Sequence, residues 1–275
     1  MNLRTIISFK LDELRYAKRT QTLMKFILSN MTKERRSLFY SGYLRRGLDS
    51  AVSMGIKVPS DFPIVSLCEV FFERIYDVEG YIPTVVDTVI DVGAHTGDWT
   101  VYCAKILQVK EIYAFEPLKE NLFYAKSILE LNGCDNAKIY PFALSDSNKE
   151  SELEYSGTML GEVRANAKKK VETIKFRTLD SLNLQCNILK IDVEGFELEV
   201  LKGAILTIRK FKPKIILETH TKKLRFECNK LLESEGYKVE IIGRMIKGEK
   251  SKVPSTFDEV VNLFYSCKNI SKQDL

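Results

Sequence analysis

The order of apolar and polar positions divides the chain into a helical first part and a remainder that alternates between strand and helix patterns. Ile7, Leu11, Leu14, Ala17, Met24 and Leu28 follow steps of three and four with a gap at Gln21, the spacing of one helical face. A second, basic helical stretch is expected from Thr32 to about Arg46, followed by a Gly/Ser/Pro-containing passage to Pro63. Val65 to Tyr76 is apolar with mixed period and reads as a lead-in. Val85, Val86, Val89, Ile90 and Val92 then form a nearly unbroken β-branched run, as expected for a parallel strand covered on both faces.

After that run the pattern changes period several times. Thr100 to Leu107 predicts a crossover helix, Glu111 to Phe115 a second strand, and Pro117 to about Leu131 a helix closed by Asn132-Gly133. Lys138 to Leu144 predicts a third strand. Glu152–Tyr155 and Val171–Phe176 alternate like a hairpin around a polar loop that contains Gly157, Gly161 and Lys168. Asn187–Ile191 and Lys214–Leu217 are short buried strands separated by a helical pattern from Phe196 to Phe211. A helix over Thr221–Glu235 and strands over Tyr237–Ile242 and Val261–Tyr265 complete the chain. The expected fold is α/β: a doubly wound, mostly parallel seven-stranded sheet with a helical N-terminal extension. The expected division is 1–62 for the basic extension and 63–275 for the sheet domain.

Charge sharpens that division. The chain of 275 residues has a formal net charge of +5, but residues 1–60 carry +8, leaving −3 for the rest. Such a basic end can face nucleic acid or an anionic surface, or be the solvated side of a helical cap. No apolar run approaches the roughly 20 residues that span a bilayer, and a soluble cytoplasmic protein is expected. The six cysteines stand far apart and are expected to be reduced, mostly buried thiols. With two histidines and no paired cysteines, zinc lacks ligands, and no metal is assigned.

Candidate chemistry gathers at the predicted strand ends, where open parallel sheets bind ligands. Asp91 precedes Gly93-Ala94-His95-Thr96-Gly97, a glycine turn into a helix. Glu116 ends the second strand, Ser145-Asp146 the third, Asp192 and Glu194 the fourth, and Glu218 and His220 the fifth. Glu116 lies 19 residues beyond Gly97, close to the spacing of about 20 at which an acid reaches a ribose diol. Asp91 and Asp98 beside the turn oppose a pyrophosphate and favour a cation. A nucleoside joined to a cationic amino-acid group fits both, and S-adenosylmethionine is such a molecule.

The segments Val-Ile-Asp91-Val-Gly93-Ala-His95-Thr-Gly97, Phe115-Glu116-Pro117, Ala143-Leu-Ser145-Asp146, Thr178-Leu-Asp180-Ser-Leu182, Leu189-Lys-Ile-Asp192-Val-Glu194-Gly195 and Ile216-Leu-Glu218-Thr-His220 together resemble the FkbM-type S-adenosylmethionine-dependent O-methyltransferases, over about residues 75 to 265. The resemblance implies the class I methyltransferase fold, with the last strand inserted antiparallel. It implies that Asp91, Gly93, Ala94, His95, Thr96 and Gly97 form the methionine-side loop, that Glu116 binds ribose, and that Ala143 to Ser145 wall the adenine. Asp192 would face the reacting methyl. A hydroxyl acceptor on a sugar, glycan or small metabolite needs a base, and the expected one is His220 helped by Asp192 or Glu218. A strand-end cap is the competing role for His220, and a divalent ion on the same three groups the competing chemistry. An RNA methyltransferase using the basic end, a nicotinamide enzyme and an inactive cofactor-fold binding protein are the rival functions.

Overall fold

The computed structural model describes residues 33–156, 169–242 and 261–267. The helix expected over 7–28, the loop with Gly157, Gly161 and Lys168, and the polar loop before Val261 lie outside these residues.

The strands in chain order are β1 (Thr88–Val92), β2 (Glu111–Phe115), β3 (Ala137–Tyr140), β4 (Ala143–Leu144), β5 (Lys149–Ser156), β6 (Lys169–Arg177), β7 (Ile188–Ile191), β8 (Lys214–Thr219), β9 (Tyr237–Ile242) and β10 (Val261–Cys267). Seven of them form one sheet in the order β3-β2-β1-β7-β8-β10-β9, and β4-β6-β5 form a second. Pairing is parallel from β3 to β8, and β10 is antiparallel to both β8 and β9. Besides short helical turns over Val65–Leu67, Cys68–Phe72 and Leu179–Leu182, the helices among the described residues are α1 (Lys33–Ser53), α2 (Asp98–Val101, widening into a π-helical turn over Tyr102–Ile106), α3 (Lys119–Leu131), α4 (Glu197–Lys202), α5 (Ile205–Phe211) and α6 (Lys222–Ser234).

Three expected elements are cut by identifiable residues. Val85 and Val86 are exposed and precede β1, because Asp87 takes the Thr84 N–H and hydroxyl (2.7 and 2.8 Å) and folds the chain into a turn first. The strand expected from Lys138 to Leu144 is two strands in different sheets, separated by Pro141, which has no N–H for a ladder. The helix expected from Phe196 to Phe211 breaks at Gly203, where a Cβ would lie 1.9 Å from the Ser145 carbonyl oxygen. Only glycine lets α4 come that close to the chain leaving β4.

Alternate residues of each strand enter opposite core layers. Val89, Ile112, Ile188, Ile216 and Phe264 face a layer built from Ala51, Ile56, Phe62, Phe71, Tyr76 and Tyr81, with Trp99 and Ile128. Ile90, Leu189, Ile191, Ile215 and Leu217 face Val200, Leu201, Ile208, Cys228 and Leu232 from α4 to α6. Residues on both sides of position 62 thus share one core with β1. Each of these fully covered aliphatic side chains is worth roughly 1.5 to 3 kcal/mol of burial, so the segment from α1 to Tyr81 is anchored on the sheet. Five of the six cysteines are buried thiols. No helix among the described residues is long and apolar enough to cross a membrane.

Candidate active site

Strand register brings the predicted strand ends together. Val92 is opposite Phe115 and Ile191, and Ile191 is opposite Leu217. The residues that follow, Gly93, Glu116, Asp192 and Glu218, therefore leave the sheet along one edge.

The glycine turn is shaped mainly by contacts within the protein. Gly93 has φ +81°, and a Cβ there would stand 1.8 Å from the Asp192 carbonyl oxygen, so the turn lies directly on the chain leaving β7. Gly97 has φ +85° and meets Ala125 of α3 at 3.0 Å. The amides of Gly93 and Ala94 both donate to Phe115 O (3.0 Å each), and the His95 amide donates to Glu116 Oε2 (2.9 Å). These three amides are thus spent on the end of β2. His95 holds φ +51°. Thr96 is fully buried, with its hydroxyl on the Asp98 carboxylate and 3.1 Å from Ser66 Oγ.

On this side the carboxylates are matched by donors. Asp91 is fully buried; Thr100 donates to its Oδ2 (2.6 Å), and Lys190 Nζ sits 3.1 Å from its Oδ1. The sequence reading treated Asp91 as free charge for a cationic ligand, whereas the register sets it opposite Lys190, and its charge is met inside the protein. Glu116, 4% exposed, accepts from His95 N, Leu118 N (2.9 Å) and Asn121 Nδ2 (3.2 Å). Burial raises its carboxyl above the ordinary value, against the pull of those donors. Asn121 is 3% exposed, and its Oδ1 has no hydrogen-bond partner among the described residues.

Beside Glu116, Phe115, Tyr140 and Phe142 form a ring cluster with centroids 5.3 to 5.6 Å apart. Ala143, half-buried, and buried Ser145 continue from it, with the Ser145 amide on Arg177 O (2.8 Å).

On the β7 and β8 side the carboxylates outnumber the cations. Asp192, Glu218 and His220 present atoms that all lie within 4.8 Å of one another. Asp192 accepts from Tyr76 Oη (3.3 Å) and lies 3.7 Å from Lys190 Nζ. The His220 ring is held at both nitrogens, by Glu197 Oε1 at Nδ1 (3.0 Å) and by Glu194 Oε2 at Nε2 (3.1 Å), with Glu218 Oε1 3.6 Å from Nε2. Its orienting carboxylates are therefore Glu197 and Glu194, where Asp192 or Glu218 was expected.

Burial alone would lower the His220 pKa, but these acids lift it to about 9, so the ring is an imidazolium at neutral pH. Glu197 is fully buried. Burial works to raise its carboxyl, yet the His220 and Gly195 hydrogen bonds hold it below the ordinary value, and its Oε2 has no hydrogen-bond partner among the described residues. Glu218 is pushed up to about 8, first by burial and then by the Asp192 charge. Glu218 is therefore a carboxyl that holds its proton into the neutral range.

Four site residues escaped the sequence reading: Lys190, Tyr76, Asn121 and Glu197. The available signal for Lys190 was a charge inside the apolar strand Ile188-Leu-Lys-Ile191. Glu197 reads as an ordinary acidic helix start, and only its burial reveals its bond to His220.

A parallel sheet with this strand order, its antiparallel strand inserted next to last and its polar edge at the strand ends, is that of a class I methyltransferase. The family described as the Methyltransferase FkbM domain matches residues 91–270, and the chain belongs to the FkbM methyltransferase family. The methyl donor is S-adenosylmethionine. Methyltransferase 1 of Beauveria bassiana (strain ARSEF 2860) is 25% identical over 202 residues, covering 63% of this chain and 80% of that protein. The crystal structure of an FkbM methyltransferase from Methylobacillus flagellatus KT aligns at 17% identity and a TM-score of 0.48, over 79% of this chain and 59% of that one. Precorrin-6y C5,15-methyltransferase from Geobacter metallireducens GS-15 aligns at 12% identity and a TM-score of 0.44, over 78% and 94%.

Proposed function

We propose that the protein methylates a hydroxyl group of a sugar, glycan or small metabolite. The observation that carries this reading is Glu218, a carboxyl with a raised pKa that stands beside Asp192 at the strand ends next to the glycine turn. Methyl transfer to oxygen needs the acceptor proton removed as the bond forms, and a base tuned near the working pH does this best.

The residues present suit S-adenosylmethionine. The orphaned Asn121 Oδ1 lies on the side chain that donates to Glu116, so two acceptors stand together, matching the two donors of a ribose diol. Glu116 and Asn121 would hold the ribose, the Phe142 to Ser145 stretch the adenine, and the 93–97 turn the methionine portion, with Asp192 toward the reacting end. The donor supplies an already activated methyl on a sulfonium. The chain's own tasks are then alignment and proton removal. We assign proton removal to Glu218 in its ionised form. His220, charged and held by three acids, keeps Glu194, Glu197 and Glu218 in place.

The test is incubation with methyl-labelled S-adenosylmethionine and hydroxyl-rich metabolite and glycan fractions, with and without ribonuclease. Label in alkali-stable, ribonuclease-resistant methyl ethers is expected. Label confined to ribonuclease-sensitive material, or to alkali-labile esters, would overturn the reading.

A further inference from the structure

Lys190 is the one cation buried among the described residues, at 3% exposure, and neither the ribose end nor the proton-accepting pair accounts for it. It sits in the middle of β7, whose other residues are Ile188, Leu189 and Ile191. An apolar side chain would suit that strand, and exchanging a buried ion pair for apolar residues is often neutral or stabilising. Fold stability is thus a weak reason for the lysine.

Its contacts suggest a stronger one. The ammonium lies 3.1 Å from Asp91 Oδ1 on β1, 3.4 Å from the Gly93 carbonyl oxygen and 3.7 Å from Asp192 Oδ2. The rings of Tyr76 and Trp99 cover it at 5.4 and 5.8 Å from their centroids. Tyr76 donates to the same Oδ2 of Asp192 that faces the ammonium. One charge therefore touches the end of β1, the first residue of the glycine turn and the acid at the reacting end.

We propose that Lys190 is a positioning residue for methyl transfer: its ammonium fixes the glycine turn and Asp192 relative to each other, and its charge bears on the Asp192–Glu218 pair beside it. This rests on the reading of that pair as the proton acceptor. Glu218 is faced by Asp192 from the end of β7, by His220 beyond β8, by Glu69 from the segment before β1, and by Lys190. Lys190 is faced by Asp91, Asp192 and Glu218. Burial alone would lower its own pKa, but these acids hold it above the ordinary lysine value, so it stays charged across the working range. Removing the charge leaves two carboxylates without their nearest cation, and the pair then keeps its proton to higher pH.

The test needs no acceptor. In protein with carbon-13-labelled glutamate carboxyls, the Glu218 signal is identified by its loss in E218Q, and its titration is followed in wild type, K190M and K190R. S-adenosylmethionine affinity is measured by calorimetry on the same samples. The expected result is a midpoint roughly one pH unit higher in K190M and nearly unchanged in K190R, with about tenfold weaker S-adenosylmethionine binding in K190M. Equal midpoints and equal affinities in folded wild type and K190M would overturn the proposal, because a merely structural lysine would change the melting temperature alone. Should K190M not fold, K190Q, which keeps an N–H for Asp91 without the charge, is read the same way. A wild-type Glu218 that titrates at the ordinary carboxylate value would instead sink the base assignment.

Discussion

The two halves of the polar edge are built on opposite electrostatic plans. At the ends of β1 and β2 every acid has its donors: Asp91 has Lys190 and Thr100, and Glu116 has two backbone amides and Asn121. At the ends of β7 and β8, Asp192, Glu194, Glu197 and Glu218 crowd around one histidine and one lysine. The first half has its charges met within the protein, and on the proposed reading it serves binding. In the second, burial and the Asp192 charge raise the Glu218 carboxyl, and on the proposed reading that half handles the proton.

The largest test of this contrast is E218Q. Loss of a general base costs about 10²- to 10⁴-fold in kcat, while S-adenosylmethionine affinity should stay within about twofold, since Glu218 belongs to the other half. A variant with weak binding and normal kcat would erase the distinction. Next is G93A, in which the new Cβ meets the Asp192 backbone at a φ that side chains avoid. A loss of roughly 3 kcal/mol in chemical denaturation is expected, because the turn joining the two halves cannot shift without moving β7.

E116Q should act on the first half alone, weakening S-adenosylmethionine binding about tenfold in calorimetry while leaving the pH profile of kcat in place. A separate effect is on stability against pH. The His220 pKa is about 9 in the folded protein, above the ordinary value of about 6.5, so the fold favours the protonated ring. That contribution is complete below about pH 6.5 and is lost as pH rises through about 9. The raised Glu218 adds a decline of the same sign up to about pH 8. Urea midpoints should fall across this range, and less steeply in H220N.

The half built from local signals was the legible one. The β-branched run, the glycine turn and Glu116 at its spacing lie close together in sequence, and they predicted β1, the turn and the end of β2. In the other half Asp192, Glu218 and His220 were expected together and their atoms lie within 4.8 Å of one another, but the pairings around both halves are carried by no local pattern. Asp91 meets Lys190 across 99 residues through the register of β1 and β7, so the Asp91 charge was read as available when it is already met. Glu197 meets His220 across 23 residues, and its position at the start of α4 gave a sufficient local explanation that concealed its burial. Breaks in elements followed the same rule. The missing N–H of Pro141 was a local signal, yet a single strand was expected through it, whereas the break at Gly203 depends on the approach of Ser145, in the chain leaving β4. Tyr76 was invisible as a site residue because its role comes from the packing of an irregular segment over Trp99 and Lys190.

Calorimetric titration of S-adenosylmethionine into wild type, E116Q and E218Q tests most directly whether the edge is divided into a binding half and a proton-handling half. The account predicts that wild type and E218Q bind alike and that E116Q binds about tenfold more weakly. Equal binding by E116Q and wild type, with binding lost in E218Q, would contradict it.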